Sequence, residues 1–377
     1  MINSIVTLPS ANSLWHGYQC LQCSQQHARG DYPAGCPACA LIGTPANLFC
    51  VYEESGEAID VPYADVINLG QGQTPLVAMP NDTSGLFKLE LANPTGSHKD
   101  RMAAVGVAHA RAIGMHSVIA ASSGNAGVAI AAYAAAYGLA CEIAVTPNCG
   151  ALHRTMMSSY GSTVTECPTS LARWDYVAMR LHEPSIYAMT NYTLPAVGSP
   201  AVAIEGYKSI ALELIEQCAD REIDSVYVPT ARGDLLWGLY LGFSQLQAKK
   251  RVLNVPRLIA VEPFERLTKV MTGSDYRASF AGSTLQLSTS GSTATLQALT
   301  AMQRTGGHAI AVPDEQALRA RQHLAQSGFY FELCAAATWH AYQHDESRLD
   351  RVSAGSCSVV IATAHGSRDE LTLDITV

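Results

Sequence analysis

From about residue 60 onward, short runs of consecutive apolar residues alternate with longer stretches whose apolar positions recur every three or four residues. "SVIAAS" (117–122), "CEIAVT" (141–146), "SVYVPT" (225–230), "RLIAVE" (257–262) and "CSVVIAT" (357–363) are rich in β-branched residues and have no sustained polar face. That is the pattern of strands buried on both sides of a parallel sheet. Between them, "GVAIAAYAAAYG" (127–138) is small and apolar all round, as a helix packed tightly between layers would be. "YKSIALELIEQCA" (207–219) and "DEQALRARQHLAQSG" (314–328) are amphipathic with a 3.6-residue period. The alternation predicts a doubly wound α/β fold that binds ligands at the carboxyl ends of its strands. Residues 1–50 break the pattern: they are short of helical periodicity, carry cysteines and read as a separate module. Pro, Gly and Ser gather at 193–200 and 281–293, which are expected to be crossings or loops.

Composition narrows the class. The chain has 377 residues, a formal charge of -8 and a pI near 5.8, which argues against nucleic acid as a partner. No apolar run is long enough to span a bilayer, and the N-terminal "MINSIVTLPSANSLWHG" lacks a secretion signal's basic and apolar regions, so a cytoplasmic setting is expected. Hydrophobic residues make up 48%, enough for a large core.

Eleven cysteines are present, and four of them, Cys20, Cys23, Cys36 and Cys39, form C-x2-C-x12-C-x2-C. Two such knuckles can direct four thiolates at one ion, a zinc-ribbon-like arrangement that leaves no open coordination position and is therefore structural. The other reading of the motif is two thiol pairs without metal.

Four segments carry candidate chemistry. In "NPTGSHKDRM" (93–102), Lys99 follows a turn-forming stretch. It begins either a solvated helix with Asp100 and Arg101, or a pocket in which a lowered pKa makes its amine a nucleophile. "ASSGNAG" (121–127) follows a strand and enters a helix; the hydroxyls and N–H groups of Ser122, Ser123 and Gly124 suit a carboxylate, and Asn125 adds an amide. "VYVPTARGDLLWGLYLGF" (226–243) does the same at Thr230, Ala231, Arg232, Gly233 and Asp234, whose N–H groups suit a phosphate, with Arg232 adding charge. Thr363 ends a further strand, in the fourth segment, "VVIATAHGSRD". An amine, an anion-binding turn, a phosphate-binding turn and a strand-end hydroxyl are together what a pyridoxal phosphate enzyme requires.

The chain resembles the threonine synthase-like branch of the fold type II pyridoxal phosphate enzymes, the superfamily of tryptophan synthase β. The resemblance runs in order through "LGQGQTPL" (69–76), "NPTGSHKDR", "SSGNAG", "EGYKSIALEL" (205–214), "SGFYFELCAAAT" (328–338) and "TAHGSRD" (363–369). It implies a two-domain enzyme with parallel-rich sheets: a zinc-ribbon-like module at 1–50, a large cofactor-binding domain at 51–95 and 205–377, and a small α/β domain at 96–204. Lys99 would hold pyridoxal 5'-phosphate covalently and later carry substrate protons. Asn125 would meet the cofactor's ring oxygen and Thr363 its ring nitrogen. Ser122, Ser123, Gly124 and Ala126 would grip the carboxylate of an amino-acid substrate. A homodimer is likewise implied only by the resemblance.

Departures are informative. His98 stands where the family has Phe, and it is expected either to tune the site or simply to pack. Asp234 would repel a phosphate unless turned away. Where threonine synthases bind the phosphate of phosphohomoserine with a serine and an arginine, this chain has Tyr192 near the former and Ala203 at the latter. Elimination or replacement at the β or γ carbon of a different amino acid is therefore expected. The alternatives are threonine synthase proper, with Arg154, Arg173 or Lys208 clamping the phosphate, and a non-catalytic relative that uses its first module to bind a partner. Glu332 is expected to order groups around the site, and His365 to be structural.

Overall fold

The computed structural model describes residues 8–53, 55–56, 59–218, 221–349 and 355–369. Its first part forms β1 (Trp15–Cys20), β2 (Gln26–Ala28), the short helix α1 (Pro37–Leu41) and β3 (Leu48–Tyr52). These strands pair antiparallel in the order β2-β1-β3.

The chain continues through β4 (Leu76–Met79), β5 (Asp82–Lys88), α2 (Lys99–Ala112), β6 (Ser117–Ala121) and α3 (Asn125–Tyr137). Next come β7 (Ala140–Val145), α4 (Ala151–Ser159), β8 (Thr163–Glu166), α5 (Ser170–Arg180), β9 (Ile186–Ala188), α6 (Ala201–Ile204) and α7 (Lys208–Gln217). They are followed by β10 (Glu222–Pro229), α8 (Asp234–Ala248), β11 (Arg257–Glu262), α9 (Leu267–Met271), α10 (Leu296–Thr305) and β12 (Ala309–Ala311). Helices α11 (Asp314–Gln326), α12 (Leu333–His344) and α13 (Glu346–Leu349) lead to β13 (Ser356–Ile361).

Two parallel-rich sheets result, as the alternating pattern predicts. One has the order β8-β7-β6-β9 and is wholly parallel. The other has the order β12-β11-β10-β13-β5-β4 and is parallel except for β4, which turns back on β5. Strands β6, β7, β10, β11 and β13 coincide with the five apolar runs to within a few residues. The amphipathic stretch at 207–219 becomes α7 only from Lys208, because Glu205–Tyr207 winds as a 3₁₀ turn; Ala219 lies outside the described residues.

Each sheet has its own core. Val118, Ile143, Val128 and Tyr133 pack together around β6 and β7, while Val226, Val228, Leu236, Phe243 and Ile361 pack around β10 and β13. The first part is tied to the rest by a third cluster, in which Trp15, Tyr18 and Leu48 meet Val105 of α2 and Ala201 and Val202 of α6. The carboxyl ends of β6, β10 and β13 converge on one cleft.

Candidate active site

Lys99 is the first residue of α2, and the turn before it is fixed on every side. Ser97 bridges to Ala364, and the His98 N–H donates to the Thr363 carbonyl at 3.0 Å, so the turn is stitched to the end of β13. Asp100 accepts from the Thr95 hydroxyl at 2.6 Å and from the Thr95 N–H at 3.1 Å. Gly96 has φ 83°, and a Cβ there would lie 2.7 Å from Arg368. Arg101 donates to Glu90 and Glu213 at 2.6–2.9 Å, and Lys88 reaches Glu213 at 2.6 Å. The bland reading of a solvated helix start is thus excluded: Asp100 and Arg101 are 0% and 3% exposed. They hold the backbone that presents the lysine.

The Lys99 amine points into a cavity of about 600 Å³ and donates to the Tyr207 hydroxyl at 3.2 Å. Burial lowers its pKa, against the pull of Asp234. His98 is buried and stacks on the Tyr207 ring at 5.7 Å; burial and the Lys99 charge hold it well below its usual range. The stacking and the burial fit the packing reading of His98.

Opposite lies the loop between β6 and α3. The Ser122 hydroxyl accepts the Gly127 N–H at 3.0 Å and so satisfies one donor of the first turn of α3. The Ser123 hydroxyl accepts from the Thr146 N–H at 2.9 Å and from Arg173 at 3.0 Å. What remains for an anion is mainly the first-turn N–H groups of α3, including those of Asn125 and Ala126, which have no carbonyl four residues back inside the helix. Asn125 donates to Glu332 at 3.1 Å, and Glu332 also accepts from Ser288 at 2.9 Å. The Asn125 Oδ1 and one Glu332 oxygen are buried without a partner among the described residues. Glu332 thus orders the amide, as expected of it.

The turn after β10 differs in detail from its sequence reading. The Thr230 N–H donates to the Val261 carbonyl at 2.8 Å and its hydroxyl to the Val228 carbonyl at 2.7 Å, so both donors are committed to the sheet. The turn is open from Ala231 onward. Gly233, at φ 80°, lies so near Ala298 that a Cβ would sit 2.5 Å from that residue's methyl. The Asp234 carboxylate is tied to neighbouring segments: it accepts from the Ser199 hydroxyl at 2.7 Å, the Ser199 N–H at 3.1 Å and Gln297 at 2.6 Å. These neutral donors orient the carboxylate but leave its charge in place, and that charge acts on Lys99 and Arg232. The Arg232 guanidinium lies over the Trp174 ring at 5.6 Å. Thr363 is buried beside Cys334 on the same wall.

Lys99, Ser122, Ser123, Gly124, Asn125, Ala126, Thr230, Ala231, Arg232, Gly233, Asp234 and Thr363 all line this one cavity. Of the three alternative clamps, only Arg173 does. Arg154 is held by the Thr146 and Cys149 carbonyls and by Glu166, and Lys208 by Glu205 and the Asp60 carbonyl. Ala203 is 0% exposed and packs toward Gly106, behind the cavity. His365 caps a 3₁₀ turn by accepting from Ser367. The sequence reading missed Tyr207, Ser199 and Trp174; only Tyr207 had a signal, its place inside the "EGYK" segment.

In the first module the Sγ atoms of Cys20, Cys23, Cys36 and Cys39 lie within 4.8 Å of one another, with Cys20–Cys39 at 3.6 Å and Cys23–Cys36 at 3.8 Å. Four sulfurs about 2.3 Å from a tetrahedral ion sit about 3.8 Å apart, so the cluster has the size of a metal site.

Two parallel-rich sheets with an amine at the carboxyl ends of their strands define an α/β enzyme architecture of fold type II. An L-serine ammonia-lyase from Rhizomucor miehei has the same fold, with a TM-score of 0.66 at 22% identity over 78% of this chain and 93% of that one. Residues 67–364 match the family described as pyridoxal-phosphate dependent enzyme, and the chain belongs to it. Among curated relatives, the threonine synthase of Methanocaldococcus jannaschii is 27% identical over 324 residues, covering 81% of this chain and 77% of the relative. That of Halalkalibacterium halodurans is 26% identical over 318 residues, covering 83% and 87%. The cavity fits the cofactor: it offers a buried amine, unpartnered buried Asn125 and Arg232 atoms, and the positive starts of α3 and α8.

Proposed function

We propose that this protein is a pyridoxal phosphate-dependent lyase or synthase that eliminates or replaces a group at the β or γ carbon of an amino acid other than O-phosphohomoserine. One observation carries the chemistry: a buried amine of lowered pKa, Lys99, shares a cavity with two helix starts suited to anions. The turn from Ala231 to Asp234 and Arg232 would hold the cofactor phosphate, Asn125 its ring oxygen and Thr363 its ring nitrogen. A neutral hydroxyl at that nitrogen leaves it unprotonated, which suits elimination. The loop from Ser122 to Ala126 would hold the substrate carboxylate. When bound, the cofactor supplies a sink for the electron pair left as a proton departs from the substrate. Lys99 then takes the Cα proton and delivers it to the neighbouring carbon or leaving group, while Tyr207 keeps its amine oriented. Tyr207 and His98 close the wall behind the amine and keep water from it.

The departure from phosphohomoserine rests on Ala203, a buried methyl at the position where, by offset, threonine synthases would have an arginine. Loss of such a charge clamp removes on the order of 2–4 kcal/mol of help to a departing phosphate. The purified protein should absorb visible light through its cofactor, and Lys99→Ala should abolish that band. Phosphate release from phosphohomoserine at a housekeeping rate would overturn the substrate reading and favour threonine synthase proper, with Arg173 as clamp. The four-cysteine cluster is read as a structural zinc site, and a homodimer as the assembly.

A further inference from the structure

One side chain of the four-cysteine module, Asn47, reaches the residues that shape the turn after β10. It lies just before β3, is buried, and has its backbone gripped from both cysteine pairs. The Leu21 N–H, between Cys20 and Cys23, donates to the Asn47 carbonyl at 3.1 Å, and the Cys36 N–H donates to the Ala46 carbonyl at 2.9 Å. The Asn47 Oδ1 accepts from the Leu48 N–H at 2.9 Å, which commits the amide oxygen to the module and turns the nitrogen outward. That nitrogen donates to the Ser199 carbonyl and to the Gln297 Oε1, each at 2.9 Å.

Both acceptors belong to residues that hold Asp234. Because the Gln297 oxygen takes the Asn47 proton, the Gln297 nitrogen must face the other way, where it donates to Asp234 at 2.6 Å and leans on the Arg232 carbonyl at 3.4 Å. Ser199 grips the same carboxylate with its N–H and its hydroxyl. The contact is close: Gly198 has φ 112°, and a Cβ there would lie 2.4 Å from the Gln297 Nε2 and 2.9 Å from Asp234. Gln297 and Ser199 are buried, as Asn47 is, so bulk water cannot take its place. Without the Asn47 donors the Gln297 oxygen would be left buried and unpaired, or the amide would turn over and set oxygen against carboxylate. Either outcome loosens Asp234, whose charge acts on Lys99 and Arg232.

We infer that Asn47 is a positioning residue of the active site: through Gln297 and Ser199 it fixes Asp234, and with it the shape of the turn after β10. The inference rests on the proposed function for what that turn holds. It gives the cysteine module a task beyond packing, that of keeping the start of α8 in the form that binds the cofactor phosphate.

The test compares Asn47→Leu, Gln297→Leu and the double variant with the wild-type holoenzyme. As a control, Tyr276→Phe removes a different tie to the module, the bond from the Tyr276 hydroxyl to the Pro45 carbonyl at 3.2 Å. Cofactor retention is read from the visible band after dilution, and the surroundings of its phosphate from the phosphorus magnetic resonance. Asn47→Leu and Gln297→Leu should each weaken cofactor binding about fivefold and displace the phosphorus resonance. The double variant should do no more than the stronger single one, because the two residues act along one path. Tyr276→Phe should change neither reading. If the leucine variant does not fold, Asn47→Ser, whose donor is shorter, takes its place. Unchanged binding and resonance in a folded Asn47 variant overturn the inference, and so do additive effects in the double variant. The same changes in Tyr276→Phe also overturn it, since any loosening of the module would then disturb the site. A wild type without the visible band would instead defeat the proposed function, and this inference with it.

Discussion

The Lys99 amine donates a hydrogen bond to the Tyr207 hydroxyl at 3.2 Å, and the Tyr207 ring is itself stacked on His98, the residue before the lysine. Burial raises the tyrosine pKa far above its usual range, so the hydroxyl stays neutral and acts as a fixed partner. Tyr207→Phe should keep the cofactor band and leave KM nearly unchanged. It should lower kcat about tenfold and shift the limb of the pH–rate profile that reports the lysine. An unchanged profile with a uniform loss of folded protein would indicate a packing role only.

Gly233 holds a positive φ at the point where the turn after β10 meets Ala298. Gly233→Ala would add backbone strain and a close contact, costing about 3 kcal/mol, and it would distort the N–H groups of Ala231 and Arg232. Denaturant unfolding should register the cost, and the cofactor should dialyse away faster than from the wild type.

His109 on α2 is 1% exposed, bonded through Nδ1 to the Tyr63 hydroxyl at 2.9 Å, and held by burial at about 4. Its folded pKa lies below the unfolded one, so the unfolded chain takes up the proton first as pH falls. The stability of the neutral ring is complete above the unfolded pKa of about 6.5 and is lost toward pH 4. Asp100, raised to about 6 by burial, works in the opposite direction. The His109 contribution is therefore read by difference: between pH 7 and 5 the wild type should lose about 2 kcal/mol more than His109→Gln. Parallel stability curves for the two proteins would contradict this.

One zinc per chain is expected, carried by the four cysteines. Cys36→Ser or a strong chelator should remove it and lower the melting temperature. The loss should spread to α2 and α6, because Trp15, Tyr18 and Leu48 pack on Val105, Ala201 and Val202. Elemental analysis that finds no metal in freshly purified protein would refute the assignment.

The parallel-rich architecture was legible because strands buried on both faces must be apolar throughout, and β6, β7, β10, β11 and β13 are. Strands β8 and β12 are short and partly exposed, so they leave no such run. The candidate site was legible where a strand end, a small-residue turn and a helix start follow one another in sequence. Tyr207, Ser199 and Trp174 reach the cavity from three separate segments that only the fold brings together. The destinations of Asp234 and the Thr230 N–H were illegible for the same reason, since their partners are Ser199, Gln297 and Val261.

The stitching of residues 97–98 to 363–364 makes the reacting amine and the end of β13 one rigid part of the molecule. Arg173 hangs from α5, beside the other sheet, through contacts with two hydroxyls. Exchange of that side chain would leave the stitching at β13 untouched and take from the Ser123 hydroxyl one of its donors. Change on the α5 side of the cavity can therefore proceed without loosening the part of the chain that presents the amine.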